Sequence, residues 1–421
     1  MDVILSPRAL SGTIAAIPSK SHVHRLLICA AFADKSVSLP CRVVSQDIEA
    51  TARCIRALGG KAEICDGNIR VTPISGVNDD IAELDPGESG STYRFFTPIA
   101  SALGRKTRFS LHGKLPFRPM SDLWSEMESH GVTVSGKGSA APTLCGQLKS
   151  GLYHLPGSVS SQFFTGLLFA LPLLPGGSHI VAEGKIESIG YIEMTLAAMK
   201  SFSVDVSWQK NEFHIKGNQK YIAPDKVSAE GDWSNSAFWL CAGAACKGIT
   251  VTGLSLPSRQ GDSAIVDILR GFGANVIVSG SSISVTQAPL HGTVIDVGNT
   301  PDLVPAIAIA AAAASGRTVI TNAGRLRLKE SDRIASVCGA INALGGIARE
   351  EGDSIVIEGS KALRGGVVNS CGDHRIAMLG SVASELCTSD VTVLGAEATN
   401  KSYPGFFDDF KSLGGMVVRS D

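Results

Sequence analysis

The sequence predicts an α/β protein in which sheet and helix alternate through six similar units, arranged as two halves of three. Three observations predict this. A helix-like stretch closing in Gly or a small residue before a short strand recurs six times, each unit carries one helix apolar on nearly every face, and the residue heading that helix changes from Ser to Asp at the midpoint.

The junctions are Leu58-Gly59-Gly60, His130-Gly131-Val132, Phe202-Ser203-Val204, Phe272-Gly273-Ala274, Leu344-Gly345-Gly346 and Leu413-Gly414-Gly415, spaced 69 to 72 residues apart over 421. Strand-like runs follow several of them: Asn68 to Val71, Phe213 to Ile215, Ser282 to Val285 and Ser354 to Ile357. Their β-branched alternation, bounded by Gly, Asp or Asn, is the pattern of a hairpin edge. The apolar helices run from His24 to Phe32, Arg94 to Leu103, Phe163 to Leu171, Ala237 to Ala245, Leu303 to Ala314 and Ile376 to Leu386. Such helices must be buried.

The residues heading these helices are Ser21, Ser91, Ser161, Asp232, Asp302 and Asp373, at steps of 70 or 71. The Ser-to-Asp change puts a domain boundary near Val227 to Gly231, with the opening strand before Pro18 returning to the second half. The expected domains are therefore 19–229 and 1–18 plus 230–421. Free N–H groups and the positive dipole end make each helix start a natural anion site, so two such domains would aim them into one interdomain cleft. Ordinary capping by Ser and Asp is the bland reading of each start.

Composition narrows the function. Lys plus Arg number 38 against 39 Asp plus Glu, a net charge of -1, which argues against a general nucleic-acid binder. Apolar residues at 44% suffice for sizeable cores. The longest apolar stretches fall short of the roughly 18 to 20 residues that span a bilayer. No signal-like or transit-like segment opens the chain, so a cytoplasmic protein without membrane association is expected, with no further module after Asp421. The ten cysteines show no Cys-x-x-Cys pair and no zinc spacing, so neither a metal site nor a disulfide framework is indicated.

Charge is nevertheless organised. The starts of the less apolar helices align through Arg118, Ser188, Ser258, Lys329 and Lys401, at steps of 70 to 72. With Lys20, Arg25, Arg94, Arg333 and Arg375, eight cations are expected at or near helix starts, where they oppose the dipole. A chain that accepts this cost repeatedly is expected to bind anions. Two acids stand among them, Asp302 and Glu330, and both suit acid/base work. The bland readings are a helix N-cap for Asp302 and, for Glu330, a surface ion pair with Arg333 at i+3.

Lys20-Ser21-His22-Val23-His24-Arg25, Gly87 to Arg94, Arg118-Pro119, Gly157 to Phe163, Lys329-Glu330-Ser331-Asp332-Arg333 and Gly372-Asp373-His374-Arg375 together resemble the 5-enolpyruvylshikimate-3-phosphate synthase family, in order and over essentially the full length. The resemblance implies two domains of three βαβαββ units each. It also implies transfer of the enolpyruvyl group of phosphoenolpyruvate to the 5-hydroxyl of shikimate 3-phosphate, without metal or organic cofactor. A monomer is expected. Shikimate 3-phosphate would be held by Lys20, Ser21, Arg25, Ser160, Ser161, Gln162, Ser188, Asp302 and Lys329, with Tyr191 beside them. Phosphoenolpyruvate would be held by Lys20, Gly90, Arg118, Gln162, Arg333, Arg375 and Lys401, with Arg94 as support. The implied catalytic residues are Asp302 as base, Glu330 as acid and Lys20. Glu88 and Arg325 stand where many members carry Asn.

Three rivals compete with this reading. The sister transferase acting on UDP-N-acetylglucosamine shares fold and length but normally has a Lys-Asn pair near its start and a loop Cys; here Lys20-Ser21 stands, with no Cys between Cys65 and Cys145. A non-catalytic scaffold explains the period but not the registered charges. A phosphate-processing enzyme of related architecture needs a nucleophilic His, and His374, the best candidate, belongs to the synthase-like motif.

Overall fold

The computed structural model describes residues 1–76, 80–360 and 362–420. Its helices are α1 (Lys20–Ala31), α2 (Gln46–Ala57), α3 (Gly90–Ala102), α4 (Ser121–Ser129), α5 (Ser161–Ala170), α6 (Ile189–Ser201), α7 (Trp233–Ala245), α8 (Ile265–Gly271), α9 (Val304–Ala313), α10 (Arg333–Ala343), α11 (His374–Ala383) and α12 (Phe406–Ser412). The odd-numbered helices are the apolar ones. In α9 every residue from Val304 to Ala312 is buried, so no face of it is left for water.

The chain folds into two compact units, Met1–Ile17 with Glu230–Asp421, and Pro18–Ala229. Within the first, Val294–Asp296 runs parallel to Arg317–Thr321, Arg317–Thr321 pairs antiparallel with Ser354–Glu358, and Ser354–Glu358 forms a hairpin with Ile347–Glu351 at the sheet edge. A buried helix and a more amphipathic one connect these strands, giving β-α-β-α-β-β. The pattern repeats with Gly12–Ala15, Ile249–Thr252, Ser282–Thr286 and Asn275–Ser279. In the remaining sheet of this unit, Gly366–Asn369 and Val391–Leu394 are completed by Asp2–Ser6, which pairs with Met416–Ser420. The opening strands thus finish repeats whose other strands lie hundreds of residues away.

In Pro18–Ala229 two sheets follow the same order, built on Ala82–Gly87 and on Leu152–Pro156. The first repeat departs from the expected unit: its sheet has three strands, Val37–Pro40, Asn68–Thr72 and Lys61–Cys65. The opening strand is reduced to a parallel bridge between Ala33 and Tyr221. The Asp34 carboxylate takes the Ala223 N–H at 2.8 Å, and Pro224 has no N–H with which to extend a ladder.

The six junctions share one backbone device. Gly59, Gly131, Gly273, Gly345 and Gly414 have φ between +85° and +97°, and Ser203 has φ +63°. The residue after several of them donates to a carbonyl five residues back, as Gly60 does to Ile55 and Gly346 to Ile341. This closes the helix and turns the chain into the next strand. Gly166 of α5 marks a different constraint, since a Cβ there would lie 2.4 Å from the Arg94 carbonyl of α3. Pro98 cannot donate to that carbonyl, and Gly166 lets the neighbouring helix cover it.

Among the described residues no helix is long and apolar enough to cross a membrane.

Ser203 tests the junction physics. Ser203→Gly relieves a left-handed Ser and is expected to raise stability by about 0.5–1 kcal/mol in urea denaturation. Gly414→Ala, where a Cβ would meet nothing within 4 Å, is expected to lower it by about 1 kcal/mol through backbone strain alone. Equal midpoints for all three proteins would contradict this account.

Candidate active site

In Pro18–Ala229 the helix entrances carry a cationic cluster. Lys20 opens α1, and its Nζ donates to Asp47 Oδ2 of α2 at 2.8 Å. One turn on, Arg25 is only 2% exposed. Its Nε donates to Thr195 Oγ1 at 2.8 Å, its Nη1 to the Ser21 carbonyl at 2.6 Å and its Nη2 to the Tyr191 carbonyl at 3.0 Å. The guanidinium carbon lies 5.3 Å and 5.8 Å from the ring centroids of Phe95 and Tyr191. Burial among these neutral groups pushes Arg25 down to about 10.

A second group gathers at the start of α3. Arg94 Nη1 donates to Gln162 Oε1 at 2.7 Å, and Gln162 Nε2 donates to Ser91 Oγ at 2.8 Å. A Cβ added to Gly90 would meet Arg118 Nη1 at 2.6 Å and Arg94 Nη1 at 3.2 Å. Two guanidinium groups therefore crowd one helix N-terminus, where the dipole also favours negative charge. Ser160 caps α5 by accepting from the Gln162 N–H at 3.3 Å, and Ser161 begins that helix. Ser188 heads α6 in the left-handed region at φ +55°, a conformation that surrounding structure must enforce in a non-glycine residue.

The other unit gathers the acids. Arg333, the first residue of α10, is 1% exposed, and its guanidinium reaches three carboxylates: Nη1 to Asp302 Oδ1, Nη2 to Glu330 Oε2 and Nε to Asp373 Oδ2, each at 2.7 Å. Lys329 Nζ lies 3.2 Å from Asp302 Oδ1, Arg375 Nη2 lies 3.6 Å from Asp302 Oδ2, and Lys401 Nζ lies 4.0 Å from Glu330 Oε1. Arg375 Nη1 also donates to the Asp302 carbonyl at 3.0 Å. Burial opposes ionisation of Asp302, yet Lys329, Arg375 and Arg333 together hold its carboxyl well below the usual range. Burial likewise works against the Arg333 charge, and Asp373, Glu330 and Asp302 more than offset it, holding the guanidinium above its usual range.

Both bland readings of the acids give way to this geometry. Asp302 sits inside the short 3-10 turn Pro301–Leu303, and α9 is headed by Leu303 with no side-chain cap. The Glu330–Arg333 pair has the expected spacing but lies inside a buried network rather than on a helix surface. The expected placement of cations needs correction too. Arg118, Lys329 and Lys401 follow or end 3-10 turns and precede α4, α10 and α12 by several residues. They thereby avoid the first helical turn and most of the dipole cost.

Within Pro18–Ala229 the structure brings Gly90, Arg94, Arg118 and Gln162 into one group and ties Arg25 to Ser21 and Tyr191. Within the other unit it joins Asp302, Lys329, Glu330, Arg333, Arg375 and Lys401. Four of the eight cations fall in each unit. Sequence reasoning missed Asp47 as the partner of Lys20, Thr195 as the anchor of Arg25 and Asp373 as the buried anchor of Arg333. Only Asp373 carried a signal, its place at the head of an apolar helix.

The chain matches the family model described as EPSP synthase (3-phosphoshikimate 1-carboxyvinyltransferase) over residues 4–410. It is 42% identical to the 3-phosphoshikimate 1-carboxyvinyltransferase of Clostridium kluyveri, covering 99% of this chain and 98% of that relative. It is 39% identical to the protein of the same name from Clostridium acetobutylicum, at the same coverage. An EPSP synthase structure from Acinetobacter baumannii aligns over 100% of both chains at TM-score 0.83 and 25% identity. The enolpyruvyl transferase NikO from Streptomyces tendae shares the fold at TM-score 0.79 and 17% identity, over 99% of this chain and 98% of that one. With its repeats, its buried Arg333 network and a full-length match in hand, the chain belongs to the EPSP synthase family.

Proposed function

We propose that this chain transfers the enolpyruvyl group of phosphoenolpyruvate to the 5-hydroxyl of shikimate 3-phosphate and releases phosphate. The observation that carries this reading is the Arg333 network, in which two acids stand among cations: Asp302 with Lys329 and Arg375, Glu330 with Lys401. The substrates bring roughly −5 to −6 in phosphate and carboxylate charge, which eight cations can balance.

In the proposed mechanism Glu330 delivers a proton to the methylene carbon of phosphoenolpyruvate, and positive character develops at C2. The 5-oxygen attacks C2 as Asp302 takes the hydroxyl proton, giving a tetrahedral ketal. Loss of a proton from the new methyl group and departure of phosphate restore the double bond. Arg118, Arg333, Arg375, Lys401 and Gly90 would hold phosphoenolpyruvate, with Lys20 and Gln162 reaching it. Lys20, Ser21, Arg25, Ser160, Ser161, Gln162, Ser188 and Lys329 would hold shikimate 3-phosphate.

Substrate charge also prepares the base. Asp302 is held far down by Lys329, Arg375 and Arg333, which makes it a weak proton acceptor in the unliganded protein. A phosphate or carboxylate that engages Arg375 and Lys329 weakens their pull and raises the proton affinity of Asp302. General acid/base catalysis contributes typically 10²- to 10⁴-fold, so orientation and exclusion of water supply much of the remainder.

We further place this activity in a cytoplasmic monomer. All ten cysteines are free thiols, the state a reducing compartment maintains, and each unit has its own buried helices and sheets.

Phosphate release from phosphoenolpyruvate is expected with shikimate 3-phosphate and not with UDP-N-acetylglucosamine; the reverse preference would overturn the proposal. Asp302→Asn and Glu330→Gln are each expected to lower kcat by about 10² or more, with thermal unfolding still cooperative. Turnover close to that of the parent enzyme in both would remove their assigned roles. Gly90→Ala drives a methyl group toward the Arg118 and Arg94 guanidinium groups. It is expected to raise the KM for phosphoenolpyruvate at least severalfold while leaving that for shikimate 3-phosphate nearly unchanged, as initial-rate kinetics would show.

A further inference from the structure

We propose that Asp262 is a positioning residue for Asp302: a buried carboxyl held against the turn that bears the base, whose charge sets how readily Asp302 accepts a proton. The inference rests on the assignment of Asp302 as the base.

Asp262 lies in the short 3-10 helix Gly261–Ala264 and is 1% exposed. Its Oδ2 accepts a hydrogen bond from the Ser234 hydroxyl of α7, while its Oδ1 is buried without a hydrogen-bond partner. The segment before it is clamped to the entrance of α7. Gln260 Nε2 donates to the Gly231 carbonyl at 2.8 Å, Gln260 Oε1 accepts from the Trp233 N–H at 3.1 Å, and Ser258 Oγ donates to Glu230 Oε2 at 2.6 Å. On its other side the helix rests on the turn that leads to Asp302. A Cβ at Gly261 would lie 3.2 Å from the Asn299 carbonyl oxygen and 3.9 Å from Thr300 Cγ2.

The charged groups acting on it come from three elements. Asp302 on the adjoining turn and Asp232 at the head of α7 disfavour its ionisation, and Arg375 of α11 favours it. Arg259 and Asp267, on the flanking segments, are exposed. Burial first, and then the Asp302 charge, push Asp262 up to about 6, against the pull of Arg375 and the Ser234 hydroxyl. Asp302 itself is held well below the usual range. The two carboxyls therefore ionise in sequence as a coupled pair, Asp302 first and Asp262 near neutrality.

The order matters for the reaction. While Asp262 is neutral, the cations alone govern Asp302 and keep it a poor base. Once Asp262 is ionised, a second negative charge in a water-poor site favours the protonated form of Asp302, which is the form that follows proton abstraction. The orphaned Oδ1 fits this function, because a donor placed there would stabilise the Asp262 anion and shift its ionisation away from neutrality.

The test is the pH dependence of kcat with both substrates saturating. The parent enzyme is expected to gain activity as pH rises through about 6. Asp262→Asn is expected to be flat through that region and about tenfold slower above pH 7, one pKa unit of base strength. Ser234→Ala, which removes the donor that favours the anion, is expected to move the inflection to higher pH. An Asp262→Asn enzyme that keeps the parent limb, or is slower by one factor at every pH, would overturn the proposal. So would a Ser234→Ala enzyme with an unmoved inflection, which decides the matter if Asp262→Asn does not fold. Asp302→Asn separates the two levels of inference: its near-normal turnover would sink the base assignment, whereas an inactive Asp302→Asn beside a parent-like Asp262→Asn would sink only the role of Asp262.

Discussion

A guanidinium withdrawn from water and shared by three carboxylates is the constraint on which this chain's chemistry depends. Arg333 reaches Asp302, Glu330 and Asp373 from three donor nitrogens, at 2.7 Å each. Desolvating four charged groups is expensive, and the geometry offsets it only because each of the three donor nitrogens meets a carboxylate oxygen of its own. Asp373 is fully buried and ties down one edge of the guanidinium, while Ser331 Oγ donates to the same carboxylate at 3.1 Å. What remains of the Arg333 fork is aimed at the two acids with the greatest exposure to incoming molecules, Asp302 at 21% and Glu330 at 13%.

The repeat explains how such a network arises. A buried apolar helix starts about every 70 residues, and each start gathers polar groups because the helix behind it has no other place for them. Where three starts meet within one unit, side chains distant in sequence become neighbours: Asp302 heads one repeat, Asp373 the next, and Glu230 to Ser234 the one before. Cations are tolerated there because the carboxylates hold them, and the short 3-10 turns before α10 and α12 keep Lys329 and Lys401 out of the first helical turn. An arriving anion would find cations already oriented, which lowers the ordering cost of binding.

Much of the architecture could be read in the residues. The Gly junctions are legible because a left-handed residue ending a helix is nearly always Gly, and Ser203 was still visible through its spacing. Buried helices such as α9 announce themselves by lacking any polar face. The reduced opening strand of the first repeat left no clear mark, since the Asp34 carboxylate that replaces a ladder bond lies 189 residues from Ala223. In the site, the cations and the two acids were legible by registration, but their relations were not. Asp302 remained ambiguous because an N-cap and a base call for the same side chain at the same place. Lys20 with Asp47 and Arg25 with Thr195 are long-range pairs that no local pattern encodes, and Asp262 differs from an ordinary first-turn acid only through the burial that tertiary packing imposes.

If Arg333 is what holds the acids together, its loss should strand charges where water cannot reach them, and the damage should lessen as those carboxyls become protonated. The direct measurement is the unfolding free energy of Arg333→Met against the parent chain, by urea denaturation at pH 8 and at pH 5. A deficit of about 3–5 kcal/mol at pH 8, clearly smaller at pH 5, is the expected result. A variant as stable as the parent at pH 8, or a deficit of the same size at both pH values, would contradict the account.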